Sequence, residues 1–89
     1  MFSIKPCSSE DEFEVFPDSL LSLDLLSAKE KLKGYEIISG TKQKIMAGKN
    51  KIQFLIFQSG KIIVKNAKEK ELAEKESAKI YELLGLCLL

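Results

Sequence analysis

The strongest constraint on the fold of this chain is a pair of strand-like segments separated by a tight turn. Residues 51–57 and 61–65 are rich in Ile, Phe and Val, and Gln58-Ser59-Gly60 between them is a turn sequence. This arrangement predicts an antiparallel hairpin. Because side chains alternate between the two sides of a strand, one face of the hairpin is entirely apolar. That face consists of Ile52, Phe54, Ile56, Ile62 and Val64.

The opposite face of the hairpin is only half polar. An antiparallel sheet with helices on one side has water on the other, so that side is expected to be polar throughout. Here Leu55, Phe57 and Ile63 form an apolar patch instead. The lysines expected around this patch are Lys42, Lys44, Lys61 and Lys65. An apolar patch with a cationic rim suits nucleic acid, and it equally suits a second subunit or domain that covers the patch.

The rest of the chain predicts two helices and further strands. The predicted elements are a strand at 12–16, a helix at 20–32, a short strand or loop at 35–38, a strand at 41–47 and a helix at 68–84. Pro17 ends the first strand, and Asp18 or Ser19 caps the first helix. Gly34 and Gly85 end the two helices.

The order of these elements is typical of an α+β domain. It reads β-α-(β)-β-β-β-α, in which the strand in brackets is the one at 35–38, with breaks at Ser39-Gly40 and at 48–50. We expect an antiparallel sheet with two helices on one face. A chain of 89 residues, 45% of them apolar, holds one such domain over residues 1–89, with an ordered core at 12–85.

The net charge of +1 conceals a segregation of charge along the chain. Residues 1–26 hold one lysine and six acids, whereas residues 27–67 hold nine lysines and two acids. The basic segment contains the hairpin, which favours an anionic partner. All 14 basic residues are lysines, so bidentate readout of guanine by arginine is excluded. Any contact with nucleic acid is therefore expected to be electrostatic.

No set of residues in the sequence predicts catalysis, a metal site or a cofactor. The chain has no histidine, and Cys7 and Cys87 lie far apart without CxxC spacing. The acidic run at 10–12, together with Glu14, places adjacent carboxylates on opposite faces of a strand. We therefore expect that this chain is not an enzyme by itself.

The N-terminal residues bear on the location of the protein. They lack the basic and apolar regions of a secretion signal, and no apolar stretch is long enough to span a bilayer. Both cysteines are expected to be reduced thiols. A cytoplasmic protein without membrane contact is expected.

The hairpin and the helix after it resemble one half-repeat of the TATA-binding protein family. The resemblance rests on residues 54–68, Phe-Leu-Ile-Phe-Gln-Ser-Gly-Lys-Ile-Ile-Val-Lys-Asn-Ala-Lys, and on a charged helix that ends Tyr-Glu-Leu-Leu-Gly at 81–85. Leu-Asp-Leu at 23–25 is also similar to that family, and the likeness spans residues 12–85. It implies a curved antiparallel sheet with two helices on its convex side, which is half of a saddle.

This resemblance implies roles for residues of the concave face. Phe57 matches one of the two phenylalanines that kink DNA in the family, and Leu55 and Ile63 match apolar positions that face the groove. The second phenylalanine position falls near Gly40, so one wedge is missing.

Charged residues stand at other positions of the same face. Glu12 and Glu14 fall on DNA-facing positions, where carboxylates repel phosphate, and Lys65 stands where the family has threonine. Carboxylates cannot donate to the acceptors of the minor groove, so specific TATA recognition is not expected.

The same strand–turn–strand and the same order of elements also resemble the N-terminal substrate-binding domain of bacterial ribonuclease HIII. That domain shares the half-saddle fold and grips DNA/RNA hybrids. The resemblance implies that the turn approaches the backbone of a hybrid, through Gln58, Ser59, Gly60 and Lys61, while Lys42 and Lys44 extend the basic face. Ser59 and Gly60 also suit an ordinary turn, in which Gly60 would still let a phosphate approach its backbone N–H.

The expected function is therefore a non-catalytic nucleic-acid-binding module, similar to that hybrid-binding domain. Its expected partners are a DNA/RNA hybrid or duplex and a C-terminal catalytic domain of a ribonuclease H-type endonuclease. The alternatives are an interaction module that binds a second copy of itself through the apolar patch, and a DNA-binding protein like the TATA-binding protein. The residues predicted to contact nucleic acid are Lys42, Lys44, Leu55, Phe57, Gln58, Ser59, Gly60, Lys61, Ile63 and Lys65.

Overall fold

Six strands and two helices make up the part of the chain that the computed structural model describes, residues 2–6, 12–17 and 22–84. The strands are β1 (Phe2–Pro6), β2 (Glu12–Pro17), β3 (Glu36–Gly40), β4 (Lys44–Lys49), β5 (Ile52–Phe57) and β6 (Ile62–Lys65). The helices are α1 (Leu25–Lys31) and α2 (Lys70–Leu84). Neither helix is long and apolar enough to cross a membrane.

All the described strands form one antiparallel sheet in the order β1-β2-β6-β5-β4-β3. Strands β3 to β6 follow one another as hairpins, and β2 joins the sheet by pairing with β6. Both helices pack on the same face, α1 over β3 and β4 and α2 over β2 and β6. The predicted α+β class, a curved antiparallel sheet with two helices on one face, is confirmed.

The core lies between the sheet and the two helices. The hairpin face predicted to be apolar is buried at each of its five positions, because alternate side chains of β5 and β6 point toward the helices. The helices complete the core with Leu25 and Ala28 from α1 and with Ala73, Ile80 and Leu84 from α2. The other side of the sheet, which no described helix covers, is called the open face below.

Strand β1 is an element that the sequence analysis did not predict, and it lies outside the range 12–85 expected for the ordered core. Phe2–Pro6 pairs antiparallel with β2 along its whole length. Phe2 and Ile4 alternate and pack against the core, and the Phe2 ring lies 5.3 Å from the Tyr81 ring. This strand forms because its backbone pairs with the free edge of β2. That pairing depends on the tertiary structure and not on the local sequence alone.

Strand β3 decides between the predicted strand and loop in favour of the strand, and it corrects the expected break after it. Residues 36–40 form a strand, so Ser39-Gly40 is part of the sheet and not a break. The pairing of β3 with β4 shifts between Ile37 and Ser39, which is a β-bulge, and leaves Ile38 half exposed. A bulge at an edge strand bends it away from regular pairing with another chain.

Helix α1 is shorter than predicted, Leu25–Lys31 instead of 20–32. Asp24 is its N-cap, with its carboxylate accepting from the Ser27 N–H at 3.4 Å and from the Ser27 hydroxyl at 2.8 Å. These hydrogen bonds hold the pKa of Asp24 below its usual value. The predicted caps, Asp18 and Ser19, lie outside the described residues.

The turn between β4 and β5 also differs from the prediction. Both Asn50 and Lys51 have positive φ, 52° and 69°, which defines a two-residue turn of the type that suits the twist of a hairpin. Residues 48 and 49 therefore belong to β4, and β4 begins at Lys44 rather than at residue 41. Helix α2 begins at Lys70 rather than at 68, while Gly85, Cys7 and Cys87 lie outside the described residues.

Candidate nucleic-acid interface

The open face presents its side chains in three rows that run across the strands. The pairing register places the middle row, from β3 to β1, as Ser39, Met46, Leu55, Ile63, Glu14 and Lys5. The row nearest the β5–β6 turn, called the turn-end row, is Lys44, Phe57, Lys61, Phe16 and Ser3. The far row is Glu36, Gly48, Gln53, Lys65 and Glu12.

The predicted apolar patch lies together on this face. Leu55 and Ile63 are direct partners in the middle row, and Phe57 is the next open-face residue of β5. Met46, opposite Leu55, extends the patch onto β4. All four side chains are half-buried in the described structure, so the patch is shallow and its remaining apolar surface faces solvent.

Three of the predicted lysines stand on the open face, in different environments. Lys44 lies opposite Phe57, is exposed, and has no ion pair with any described residue. Lys61 Nζ lies 3.9 Å from Glu14 Oε2 and 5.6 Å from the ring centroids of both Phe16 and Phe57. Lys65 Nζ lies 3.9 Å from Glu12 Oε1.

The carboxylates of β2 thus share the face with the lysines. Glu12 and Glu14 stand where the family resemblance places them, and each compensates part of the charge of one lysine. Ion pairs of this length and exposure contribute little to stability, so a phosphate is able to compete for the same ammonium groups. The three rows together carry four lysines and three glutamates, so the open face has only a small excess of positive charge, and that charge is unevenly distributed.

Lys42 does not lie on the open face. It belongs to the turn between β3 and β4 and lines a small depression with Leu23, Leu26 and Gln58 at the start of α1. The expectation that it shares a face with Lys44 is corrected, because β4 begins at residue 44 and the side-chain alternation of the strand does not reach Lys42.

The β5–β6 turn is held by hydrogen bonds on both sides. The Gln58 N–H donates to the Gln43 carbonyl at 2.9 Å, and the Gln58 carbonyl accepts from the Leu23 N–H at 2.9 Å. The side chains of Gln58 and Ser59 are exposed beyond these contacts, beside Lys61.

Gly60 is buried, with φ +95°, a backbone conformation that glycine adopts without strain. Its N–H donates to the Phe57 carbonyl at 2.9 Å, and its carbonyl accepts from the Tyr81 hydroxyl at 2.5 Å. The expectation that a phosphate approaches this N–H is wrong, because the N–H already donates a hydrogen bond within the turn.

The position that corresponds to the second phenylalanine of the family is filled differently. Gly40 pairs with Ile45, which places it on the helix side of the sheet, and a Cβ there would lie 2.7 Å from Lys29 Cδ. The open-face residue beside it is Ser39. The described residues place no phenylalanine at this end of the face.

Two open-face residues, Phe16 and Lys5, were missed by the sequence analysis. The alternation of Glu12, Glu14 and Phe16 along β2 was sufficient to place Phe16 beside the two glutamates. Its neighbours Lys61 and Lys5 follow only from the pairing of β2 with β6 and β1.

Within residues 2–6, 12–17 and 22–84, no group of three or more His, Cys, Asp or Glu side chains is arranged to hold a metal ion. Glu12 and Glu14, which belong to the acidic segment considered above, face lysines. Residues 10 and 11 of that segment lie outside the described part.

A curved antiparallel sheet with both helices on one side and a lysine-bearing open face is a TATA-binding-protein-like domain. A family model described as "Transcription factor TFIID (or TATA-binding protein, TBP)" matches residues 21–87, which is more than half of the chain. The chain belongs to this family, and DNA binding is the function that the family indicates. Comparison with curated proteins and with solved structures gave no match.

Proposed function

We propose that this chain is a non-catalytic nucleic-acid-binding module that grips the phosphate backbone of a DNA/RNA hybrid with its open face. Membership of the TATA-binding protein family supports a nucleic-acid partner. The observation that carries the proposal is the open face, on which Lys44, Lys61 and Lys65 flank the patch of Leu55 and Ile63. The hybrid, and a catalytic domain that cleaves it, are proposed from the resemblance to ribonuclease HIII.

The chemistry of the face predicts how such a module binds. Its lysines neutralise phosphates, and the apolar row accommodates the sugar edges that line a groove. With no arginine in the chain and two carboxylates on β2, base-specific hydrogen bonds contribute little. Contacts from the three lysines predict a slope of about −2 to −3 in a plot of log affinity against log salt concentration.

The proposal is tested by measuring the affinity for a hybrid, double-stranded DNA and double-stranded RNA at several salt concentrations. We expect the hybrid to bind most tightly, with affinity falling as salt rises. Equal binding of all three would retain a backbone-binding module and reject the hybrid preference. Absent binding, or binding that does not respond to salt, would contradict the whole proposal.

Substitution of Lys44 tests which face binds. Lys44→Ala removes an open-face ammonium that has no ion pair among the described residues, and we expect about a three- to ten-fold loss of affinity at low salt. Lys70→Ala is the matched control, since it removes the same charge from the first turn of α2 on the other side of the sheet. Equal losses in both variants would show that net charge, and not the open face, determines binding.

The half-buried apolar row also supports a second candidate, a module that dimerises through this face. Met46, Leu55 and Ile63 form a continuous apolar row of the kind found at interfaces. Sedimentation would then show a dimer, and Phe57→Glu would convert it to a monomer because it places a charge in the buried interface. A monomer at all accessible concentrations, together with salt-dependent hybrid binding, excludes this candidate.

A further inference from the structure

Lysines and aromatic rings alternate along the turn-end row from β4 through β5 and the residue before β6 to β2. Lys44 pairs with Phe57 across β4 and β5, and the Phe57 N–H donates to the Lys61 carbonyl at 2.8 Å. Lys61 Nζ then lies 5.6 Å from both the Phe57 and the Phe16 ring centroids. On the far side of Phe16, Lys5 Nζ lies 5.7 Å from the same ring. Lysines and rings thus alternate as Lys44, Phe57, Lys61 and Phe16, and Lys5, which belongs to the middle row by register, extends its side chain to the Phe16 ring.

We propose that this row binds an unpaired segment of nucleic acid, with bases stacked on Phe16 and Phe57 and the intervening phosphate on Lys61. Lys44 and Lys5 hold the phosphates on either side. The inference rests on the proposed function, because it assigns one end of the same open face to a strand that has no complement. It goes beyond that function by naming a stacking site and a second class of ligand.

The geometry of the row favours an unpaired strand over a duplex. In a duplex the faces of the bases are covered by their neighbours, and a protein reaches only base edges, sugars and phosphates. An unpaired strand alternates an anionic phosphate with a flat base, which is the alternation that the row presents. Phe57 and Phe16 are separated by β6 alone, so their backbones lie about 10 Å apart. That spacing leaves room for two splayed bases with Lys61 between them.

The distribution of charge also favours this end of the face. The carboxylates of the open face stand in the other two rows, Glu14 in the middle row and Glu12 and Glu36 in the far row. Two of these three glutamates therefore stand in the row farthest from the turn-end row, and Glu14 is the one that approaches Lys61, at 3.9 Å. The Lys61 side chain is 35% exposed, so a phosphate can reach its ammonium group, and a base that stacks on Phe16 or Phe57 takes the place of this cation on the ring.

Fluorescence provides a direct test, because the chain contains no tryptophan. In the F16W variant the single indole replaces the proposed stacking ring. We expect an oligothymidylate of about 10 nucleotides to quench its emission, since a base stacked on the indole quenches it. An abasic oligomer of the same length carries the same phosphates, and we expect it to leave the emission unchanged. L72W, on the exposed side of α2, is the control and should respond to neither.

Affinity gives the second readout. Phe16→Leu keeps an apolar side chain but removes the ring, and we expect roughly a ten-fold loss of affinity for oligothymidylate. Phe16→Tyr keeps the ring and should bind as the parent chain does. Far-ultraviolet circular dichroism that is the same for both variants shows that the fold is retained. The affinity of the parent chain for the hybrid duplex, measured in parallel, tests the proposed function separately.

The outcomes separate this inference from the proposed function. Equal quenching by the abasic oligomer, or an unchanged affinity of Phe16→Leu for oligothymidylate, overturns the stacking site while hybrid binding still supports the module. Binding of neither the hybrid nor oligothymidylate overturns both.

Discussion

Lys61 is the residue on which the contacts of the open face converge. Its ammonium group lies 3.9 Å from Glu14 and 5.6 Å from two phenylalanine rings, while a third of its side chain stays exposed. The rings attract the cation through their negative faces, and the carboxylate competes with any incoming phosphate. Glu14 therefore limits the affinity of the face for a polyanion.

Substitution of Glu14 tests this limit. Glu14→Gln removes a negative charge beside Lys61 and keeps the size of the side chain, so we expect a two- to five-fold rise in hybrid affinity at low salt, as is roughly expected for an exposed pair. Glu74→Gln, on the exposed side of α2, is the matched control for net charge. An equal rise in the control, or no rise in Glu14→Gln, would show that the carboxylate does not compete with the ligand.

The face on which each hairpin side chain lies was predictable from the sequence. The residues of other strands that lie beside the hairpin were not. The alternation of side chains places Leu55, Phe57 and Ile63 on one face, and the structure brings them together. The positions of Phe16 and Lys5 beside Lys61 depend on which strands lie side by side. Pairing between segments far apart in the sequence is set by packing, so a single strand does not reveal it.

At the scale of elements, a hydrogen bond between α2 and the β5–β6 turn fixes the position of that turn. The Tyr81 hydroxyl on α2 donates to the Gly60 carbonyl at 2.5 Å. Burial raises the pKa of Tyr81 well above its usual value near 10, so the hydroxyl remains protonated, and a donor, at alkaline pH as well. This one hydrogen bond joins the last helix to the turn beside Phe57 and Lys61.

Removal of this hydroxyl should destabilise the protein. Tyr81→Phe leaves the buried Gly60 carbonyl without its donor, and we expect the free energy of unfolding to fall by about 1–2 kcal/mol. Tyr35→Phe is the control, since the Tyr35 hydroxyl is buried without a hydrogen-bond partner among the described residues, and its removal should be neutral or slightly stabilising. Urea unfolding of the three proteins measures both effects, and equal destabilisation in the two variants would contradict the assignment.

The pH dependence of stability follows from the same residue. The pKa of Tyr81 is raised in the folded state, so above pH 10 the unfolded chain loses this proton first and stability declines as the pH rises. Tyr81→Phe should lose less stability than the parent chain between pH 10 and pH 11, in urea titrations at fixed temperature. Parallel declines in the two proteins would refute this linkage. Burial and the charge of Glu76 raise the pKa of Tyr35 as well, so part of the decline remains in the variant.

Helix α1 shows why its boundaries were harder to predict than its existence. The apolar spacing of Leu25, Ala28 and Leu32 indicated a helix, and these three residues are buried. The Leu23 N–H donates to the Gln58 carbonyl of the distant turn, so Leu23 lies outside the helix. The Leu23 N–H thus bonds to a distant turn instead of to a carbonyl within a helix. The helix therefore begins after this residue, with Asp24 as its N-cap.

At the scale of the whole molecule, the helix side of the sheet provides the stability of the fold, and the open face carries the residues proposed to bind nucleic acid. The helix side holds the fully buried residues, whereas those of the open face stay half-buried or exposed. Substitutions on the two faces of one strand should therefore have different consequences.

Phe54 and Phe57 on β5 test this separation. Phe54→Ala empties a fully buried position that also contacts the Tyr35 ring at 5.7 Å, and should cost about 3–5 kcal/mol, a large part of the stability of a domain. Phe57→Ala, half-buried on the open face, should cost less than half as much and weaken nucleic-acid binding. Thermal unfolding and hybrid affinity distinguish them, and similar destabilisation by both changes would contradict the two-faced description.

The sequence by itself determined the α+β class, the two faces of the hairpin and the residues of its core, because the alternation of side chains along a strand is a local property. Only the tertiary structure decided that β1 extends the sheet, that Lys42 leaves the face, and that Glu12 and Glu14 meet Lys65 and Lys61. It also built the turn-end row, from residues that lie far apart along the chain. The reason is that register and neighbourhood depend on the packing of segments that are distant along the chain, and no local pattern encodes them.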